Sequence, residues 1–148
     1  MRHKIRFFAF FLPLLLTACG EPADTHPGQP VTQRRMAFKE IINHFEPMGV
    51  QLRRGPFDAT KFLTLARQLD QLKETPWSHF GADTNYPPTK AKAALWKEPE
   101  KFEASRQEFI KAVSALAVVA ESGDKKQIAT SYETLHETCR SCHEAFKE

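Results

Sequence analysis

Cysteine, glycine and long apolar runs are scarce in this chain of 148 residues. It has three cysteines and six glycines, and its longest apolar stretch, residues 7–16, is interrupted by Pro13. That stretch is about half of the ~20 residues that a membrane-spanning helix needs. The chain also lacks an alternating apolar–polar pattern of useful length and any internal repeat, which argues against a β-sheet domain and against a repeat array.

Excess charge of one sign is also missing once the first residues are set aside. The chain has 21 basic and 18 acidic side chains, but residues 1–18 hold Arg2, Lys4 and Arg6 and no acidic residue. The remaining chain is therefore balanced, and nothing in its charge indicates binding to nucleic acid. At about 130 residues, it is long enough for one domain that buries roughly two thirds of its unfolded surface.

The first 18 residues are predicted to be a secretory signal peptide, because basic residues precede an apolar run that is too short to span a bilayer. The run ends in Leu16-Thr17-Ala18-Cys19, which resembles the lipobox of bacterial lipoproteins. That resemblance implies cleavage before Cys19 and attachment of lipid to this residue. The alternative is an ordinary signal that is cut near Ala18 and leaves Cys19 unmodified.

Several acyl chains at Cys19 would anchor the protein stably to a membrane. The residue after the lipid cysteine is Gly20 and not aspartate. By resemblance to the known sorting behaviour of lipoproteins, this favours transfer of the protein to the outer membrane. We therefore expect a lipid-anchored protein on the periplasmic side of a bacterial membrane. Residues 19–30 are polar and rich in proline, so they are predicted to be a flexible tether to a domain over residues 31–148.

Four helices are predicted from apolar residues that recur every three or four positions. They cover about residues 32–46, 58–73, 100–122 and 124–146. Asp58 and Asp124 are N-cap candidates for the second and fourth helices. An irregular crossover over residues 74–89 and a short helical piece at 91–96 join the second helix to the third. Two short connections and one longer crossover predict an all-α, antiparallel, up-down-up-down four-helix bundle.

The apolar faces of the first and last helices carry the residues that matter for function. The face of the first helix consists of Phe38, Ile41, Ile42 and Phe45, and Pro47 is expected to end this helix. The apolar stripe of the last helix steps by three or four residues and includes two cysteines. Its members are Ile128, Tyr132, Leu135, Cys139, Cys142 and Phe146.

The segment Cys139-Arg140-Ser141-Cys142-His143 has the spacing of a c-type haem attachment motif. On a helix the two thiols lie about one turn apart, so both sulfurs can reach the vinyl groups on one porphyrin edge. His143 can then provide the axial nitrogen ligand to iron. A thioredoxin-like pair would need a strand before it, and the adjacent Cys142 and His143 point about 100° apart, which makes a poor zinc site. We predict one covalently bound haem c.

With these features the chain resembles the cytochrome c′ family, the class II c-type cytochromes, over about residues 32–147. The main feature is the haem motif on the last helix. The supporting stretches are Arg34-Arg35-Met36-Ala37-Phe38, Pro76-Trp77-Ser78-His79-Phe80-Gly81, and Thr89-Lys90-Ala91-Lys92 before Trp96.

The resemblance implies roles for individual residues. Phe38 falls over the distal face of the iron, and Trp77 lines the same side. Arg34 and Arg35 fall where residues touch the haem and its propionates. A second haem-contacting segment consists of Thr89, Lys90, Ala91 and Lys92. The chain departs from the family at Lys147, because an arginine usually stands there, and lysine lacks the planar fork of arginine.

A phenyl ring has no lone pair for iron, so Phe38 would leave the iron five-coordinate and high-spin in an apolar pocket. The resemblance implies that such a site binds nitric oxide, protects against nitrosative stress and can carry electrons. The alternative is a six-coordinate electron-transfer cytochrome without gas binding. Met36 and His44 lie about 200° and 240° around the first helix from Phe38, and Met48 is expected outside it. His79 in the crossover stays open as a second ligand.

No distal histidine–arginine pair and no second metal site are visible in the sequence, so an enzyme is not predicted, with slow reduction of nitric oxide left open. The sequence does not identify the redox donor. Dimerisation is common in the family, and a homodimer would use the first and second helices.

Overall fold

The computed structural model describes residues 22–148. The predicted signal peptide and Cys19 lie outside these residues. Within this part of the chain, four long helices, one short helix and a one-turn 3-10 helix follow one another. The α-helices are α1 (Pro30–Arg53), α2 (Ala59–Leu72), α3 (Ala94–Lys97), α4 (Pro99–Ala120) and α5 (Lys125–Phe146), and the 3-10 helix is Trp77–His79.

The four long helices pack as the predicted four-helix bundle. Helix α1 packs on α2, α2 packs on α4, and α4 packs on α5. The described residues contain no strand beyond an isolated antiparallel bridge between Ala91 and Lys147. The central core is built from residues of all four helices, among them Met48, Phe62, Leu116 and Ile128, each fully buried. The predicted fold class is therefore confirmed. No helix of the described part is long and apolar enough to cross a membrane.

Both predicted N-caps are present. Asp58 accepts a hydrogen bond from the Lys61 N–H at 3.0 Å. Asp124 accepts from the N–H groups of Lys126 and Gln127 at 2.8 and 3.2 Å. These carboxylates accept from N–H groups that have no partner inside the helix. Their negative charge also interacts favourably with the positive end of the helix dipole. They fix where α2 and α5 begin.

The predicted end of the first helix is wrong. Helix α1 continues through Pro47 to Arg53. Proline lacks one backbone donor, but the residues that follow it are needed in the core, since Met48 and Gly49 are buried. Burial of this last part of the helix outweighs one lost hydrogen bond. Ile42, predicted on the apolar face, is 46% exposed and points away from the core.

The predicted flexible tether is wrong for its second half. Asp24 is buried and accepts hydrogen bonds from the N–H groups of Val31 and Thr32 at 2.9 and 3.2 Å. These N–H groups belong to the first turn of α1 and have no partner within the helix. A carboxylate from seven residues upstream therefore caps α1, and the folded domain begins at Asp24 or earlier.

Candidate haem site

Helix α5 carries the two thiols on the continuation of its buried face. Ile128, Tyr132 and Leu135 are buried, and Cys139 packs against the same core. Cys142 is half-buried one turn further on, and neither cysteine forms a disulfide. The helical spacing therefore places both sulfurs on the core side of α5, as the sequence pattern predicts.

The protonation of the thiols argues against a redox-active pair. Burial, with a smaller contribution from Cys142, raises the pKa of the Cys139 thiol to about 11. Burial also raises the pKa of Cys142. Reactive cysteines have a lowered pKa, so these two lack the environment of thiol–disulfide enzymes. Residues 22–148 also contain no group of three His, Cys, Asp or Glu side chains that could hold a metal ion.

His143 is an exposed residue in the last turn of α5. Partial burial and the charge of Lys147 lower the pKa of its imidazole. A lowered pKa keeps the ring neutral at pH 7, and the neutral imidazole is the form that binds iron. The carbonyl oxygen of His143 accepts from the Lys147 N–H at 3.0 Å, which closes the end of the helix.

Arg34 joins α1 to the crossover. Its guanidinium is buried and donates to the carbonyl oxygens of His79 and Thr84 at 3.1 and 3.2 Å. It also donates to the hydroxyls of Thr84 and Thr89, at 3.0 and 2.5 Å. The ring of Phe80 lies under the guanidinium carbon at 4.8 Å. No carboxylate of the described residues forms an ion pair with this buried cation, and burial lowers the pKa of Arg34.

The segment that contains Thr89 and Lys92 lies against the end of α5. The N–H of Lys92 donates to the Phe146 carbonyl oxygen at 2.8 Å, and the N–H of Glu148 donates to the Lys90 carbonyl oxygen at 2.9 Å. The Lys92 ammonium donates to the Glu144 carbonyl oxygen at 2.7 Å. The three sequence stretches that support the family resemblance, residues 34–38, 76–81 and 89–92, are thus joined through Arg34, and the last of them also contacts the helix that carries the motif.

Phe38 lies in a cluster of aromatic rings contributed by α1, the crossover, α4 and α5. Its ring meets Trp77 edge-on, with centroids 5.5 Å apart, and lies 6.3 Å from Phe80. The Trp77 N–H donates to the Lys73 carbonyl oxygen at 2.6 Å, so this ring is fixed in the crossover. The cluster continues through Phe102, Phe109 and Phe146. Phe38 and Trp77 are therefore together, in surroundings that are aromatic.

Arg35 does not join the other predicted residues. It points to the start of the domain, where it donates to the Pro22 carbonyl oxygen at 3.4 Å. Adjacent residues on a helix differ by about 100° in direction, which accounts for the different hydrogen-bond partners of Arg34 and Arg35. The structure places only Arg34 in the crossover.

Sequence reasoning missed two features of the site. Phe80 and Trp96, which flank the Arg34 guanidinium, were quoted only as parts of the stretches that carry the family resemblance and were given no role. A groove of about 490 Å³ lies between α4 and α5 beside Cys142. Its small and polar lining had no distinctive sequence signal. The lining residues are Ala104, Ser105, Glu108, Thr134, Glu137, Thr138, Ser141 and Cys142.

The residues fit a covalently attached haem. Two thiols lie one turn apart on the core side of a helix, and an imidazole follows them. The buried Arg34 cation lies across the same end of the bundle; no carboxylate of residues 22–148 forms an ion pair with it, and Asp24 attracts it only at longer range. A buried charge is costly unless it is paired, and a haem propionate is an anion of the right kind. The fold and the motif together define a class: c-type haem proteins built on an antiparallel four-helix bundle, with the attachment site on the last helix.

Comparison with known proteins narrows the class to one family. The family model described as Cytochrome C′ matches residues 29–147, so the chain belongs to the cytochrome c′ family. This confirms the resemblance predicted from the sequence. Membership implies a covalently bound haem c.

The relatives align with most of this chain. A cytochrome c′ from Rhodospirillum rubrum is 28% identical over 145 residues, which cover 97% of each chain. The structure of cytochrome c prime from Shewanella frigidimarina is 30% identical, with a TM-score of 0.80 over 84% of this chain and 98% of that chain. A ferrous variant from Alcaligenes xylosoxidans with bound NO is 25% identical, with a TM-score of 0.78 over 84% and 97% of the two chains.

Proposed function

We propose that this protein holds one haem c with five-coordinate, high-spin iron, binds nitric oxide and so protects against nitrosative stress, and can also carry electrons. The observation that carries the proposal is the position of Phe38 in a cluster of aromatic rings with Trp77 and Phe80. None of these rings offers the iron a strong donor atom. The relative from Alcaligenes xylosoxidans with bound NO supports the same function.

The chain's own residues define the chemistry of the site. Cys139 and Cys142 would attach the cofactor, and His143 would present a neutral ring nitrogen to iron. Arg34 would offer its cation to a propionate, and Thr89 keeps that guanidinium in place. Phe38 and Trp77 would exclude water and hydrogen-bond donors from the distal side. The haem iron itself supplies binding of small gases and transfer of single electrons.

The structure argues against methionine as a sixth ligand. Met36 is 58% exposed, on the solvent side of α1. Met48 is inside α1, contrary to prediction, and fully buried in the core. It lies ten residues beyond Phe38, which is about 15 Å further along the helix axis. His44 binds its own helix through the Glu40 carbonyl oxygen at 2.8 Å. These positions favour the gas-binding function over the six-coordinate alternative.

Phe38→Met tests this function. The ferrous wild-type protein is expected to show a high-spin optical spectrum that changes strongly on addition of nitric oxide. The variant brings a thioether to the same position, so we expect a low-spin spectrum and a smaller response to nitric oxide. Ile42→Met is the control, because this side chain points to solvent and its replacement should leave the spectrum unchanged. A low-spin spectrum of the wild-type protein that does not change on addition of nitric oxide would instead establish the electron-transfer alternative.

We also propose that Cys19 carries lipid and holds the protein on the periplasmic side of a bacterial membrane. The support is the lipobox-like sequence before Cys19 and the short polar segment after it. Cys19→Ala should move the protein from the detergent phase to the aqueous phase in a phase-partition experiment, since the acyl chains supply the membrane affinity. Continued partition of the variant into detergent would contradict the anchor.

A further inference from the structure

We propose that the lipid anchor holds one particular end of the bundle at the membrane, so that the phospholipid headgroup layer is the partner of that end. We call it the haem end and define it by the start of α1, crossover residues 83–92 and the end of α5. The inference rests on the proposed lipid at Cys19. What it adds is an orientation, which follows from where the chain enters the folded domain.

The entry point is held by a clasp around Asp24. Besides the two N–H groups at the start of α1, its carboxylate accepts from the His26 N–H and from the Tyr86 hydroxyl, both at 3.1 Å. The ring of His26 stacks on Tyr86 with centroids 3.5 Å apart. The clasp therefore connects the incoming chain both to α1 and to the crossover.

The clasp and the haem motif lie at the same end of the molecule. Tyr86 belongs to the crossover, where Thr84 and Thr89 bind Arg34 of α1. A few residues later, the Lys92 N–H binds the last turn of α5. Consecutive helices run antiparallel, so the start of α1 and the end of α5 are neighbours in any up-down-up-down bundle.

The length of the free chain limits the geometry. Asp24 follows Cys19 by five residues, and a fully extended chain of that length spans at most about 18 Å. Helix α4 has 22 residues and is about 33 Å long. A bundle that stands on its opposite end, at the turn around Gly123, would place the clasp farther from the membrane than this chain can reach, so that orientation is excluded while the clasp is closed. The haem end must stay near the headgroups.

Photocrosslinking to lipid tests this orientation in the haem-loaded, lipidated protein. A benzophenone amino acid replaces Asp83 in one variant and Lys126 in the other, two exposed positions at opposite ends. The probe is a vesicle of phosphatidylethanolamine and phosphatidylglycerol, and intact-mass spectrometry counts phospholipid adducts after illumination. We expect several-fold more adduct from position 83 than from position 126. Equal adducts, or an excess at position 126, would overturn the orientation.

Two further variants separate the orientation from the anchor. An insert of about 20 Gly and Ser residues between Pro22 and Ala23 leaves the clasp intact and adds a mean reach of roughly 25 Å, so the ratio should fall towards one. An unchanged ratio would show that something other than the short tether sets the orientation. Cys19→Ala should abolish association with the vesicles. If it still associates, the anchor itself fails, a result distinct from equal crosslinking of an anchored protein.

Discussion

Two adjacent arginines show how position on a helix decides the role of a side chain. Arg34 points into the crossover and makes four hydrogen bonds with three residues there. Arg35, about 100° away, points to the start of the domain. The sequence marks both as basic residues on one short stretch. Only the packing of α1 against the crossover distinguishes them.

Arg34→Gln should destabilise the folded protein by about 2–3 kcal/mol, because buried carbonyl and hydroxyl groups of the crossover lose a charged donor. Denaturant unfolding of the haem-loaded protein measures the change in free energy. Arg67→Gln is the control, because Arg67 forms an exposed ion pair with Glu121 at 3.1 Å, and its loss should cost less than about 1 kcal/mol. Equal effects of the two substitutions would contradict the role of Arg34 as the centre of the crossover.

At the scale of the element, α1 differs most from what its sequence predicts. Pro47 lies inside it, where proline removes a backbone donor. Two residues later, Gly49 lies against Tyr132 of α5 and Arg53 of its own helix. The glycine allows this contact, because a Cβ atom would collide with the Tyr132 hydroxyl and lie 2.6 Å from the Arg53 Nη2. Neither Pro47 nor Gly49 ends the helix, and Gly49 permits its close packing on α5.

Gly49→Ala should therefore destabilise the protein by about 1–3 kcal/mol, although alanine favours helices, because the buried Tyr132 has little room to move. Gly55→Ala is the matched control, since its Cβ would meet nothing closer than 3.6 Å, at the Val50 carbonyl oxygen. Its effect should stay within about 0.5 kcal/mol. The midpoint of denaturant unfolding, with the slope held constant, reports both changes. If Gly49→Ala left the free energy of unfolding unchanged, the helices would be able to move apart at this point without loss of stability.

The helices that matched prediction share a visible signal. Helices α2 and α5 begin at aspartate caps and carry apolar residues at regular three- and four-residue steps, and both were predicted to within a residue or two at each end. The end of α1 could not be predicted, because local preferences at Pro47 and Gly49 oppose helix and only contacts with another helix reverse them. The haem motif was readable because its chemistry demands a fixed spacing.

At the scale of the whole molecule, the domain begins earlier than its composition indicates. Residues 24–29 contain glycine and proline and resemble a linker, yet Asp24 is buried with four hydrogen-bond donors around it. One of these donors, Tyr86, is 62 residues away in the chain. No local pattern could reveal this contact, because it depends on how the crossover returns to α1.

The clasp makes stability depend on pH in a defined direction. Burial alone would raise the pKa of Asp24, but hydrogen bonds from His26, Thr32, Tyr86 and Val31 lower it below 3.8 in the folded state. The stabilisation is then fully present above the unfolded pKa and is lost as the pH falls through the folded pKa. Asp24→Asn should lower the melting temperature at pH 7, and its difference from wild type should shrink in acid.

Thermal unfolding between about pH 7 and pH 3 measures this difference across the range where carboxylates titrate. Asp83→Asn is the control, because it removes an exposed carboxylate of the same crossover. A difference between Asp24→Asn and wild type that stays constant at every pH would contradict the clasp.

The bridge between Ala91 and Lys147 joins segments that are 56 residues apart in the chain. The haem end combines segments from α1, the crossover and α5, and the N–H of Glu148 donates to the Lys90 carbonyl oxygen there. Cys139 and Cys142 follow helices α1, α2 and α4 in the sequence. Because a chain is synthesised from its N-terminus, the helices that would pack around a cofactor at these cysteines are made before the cysteines themselves.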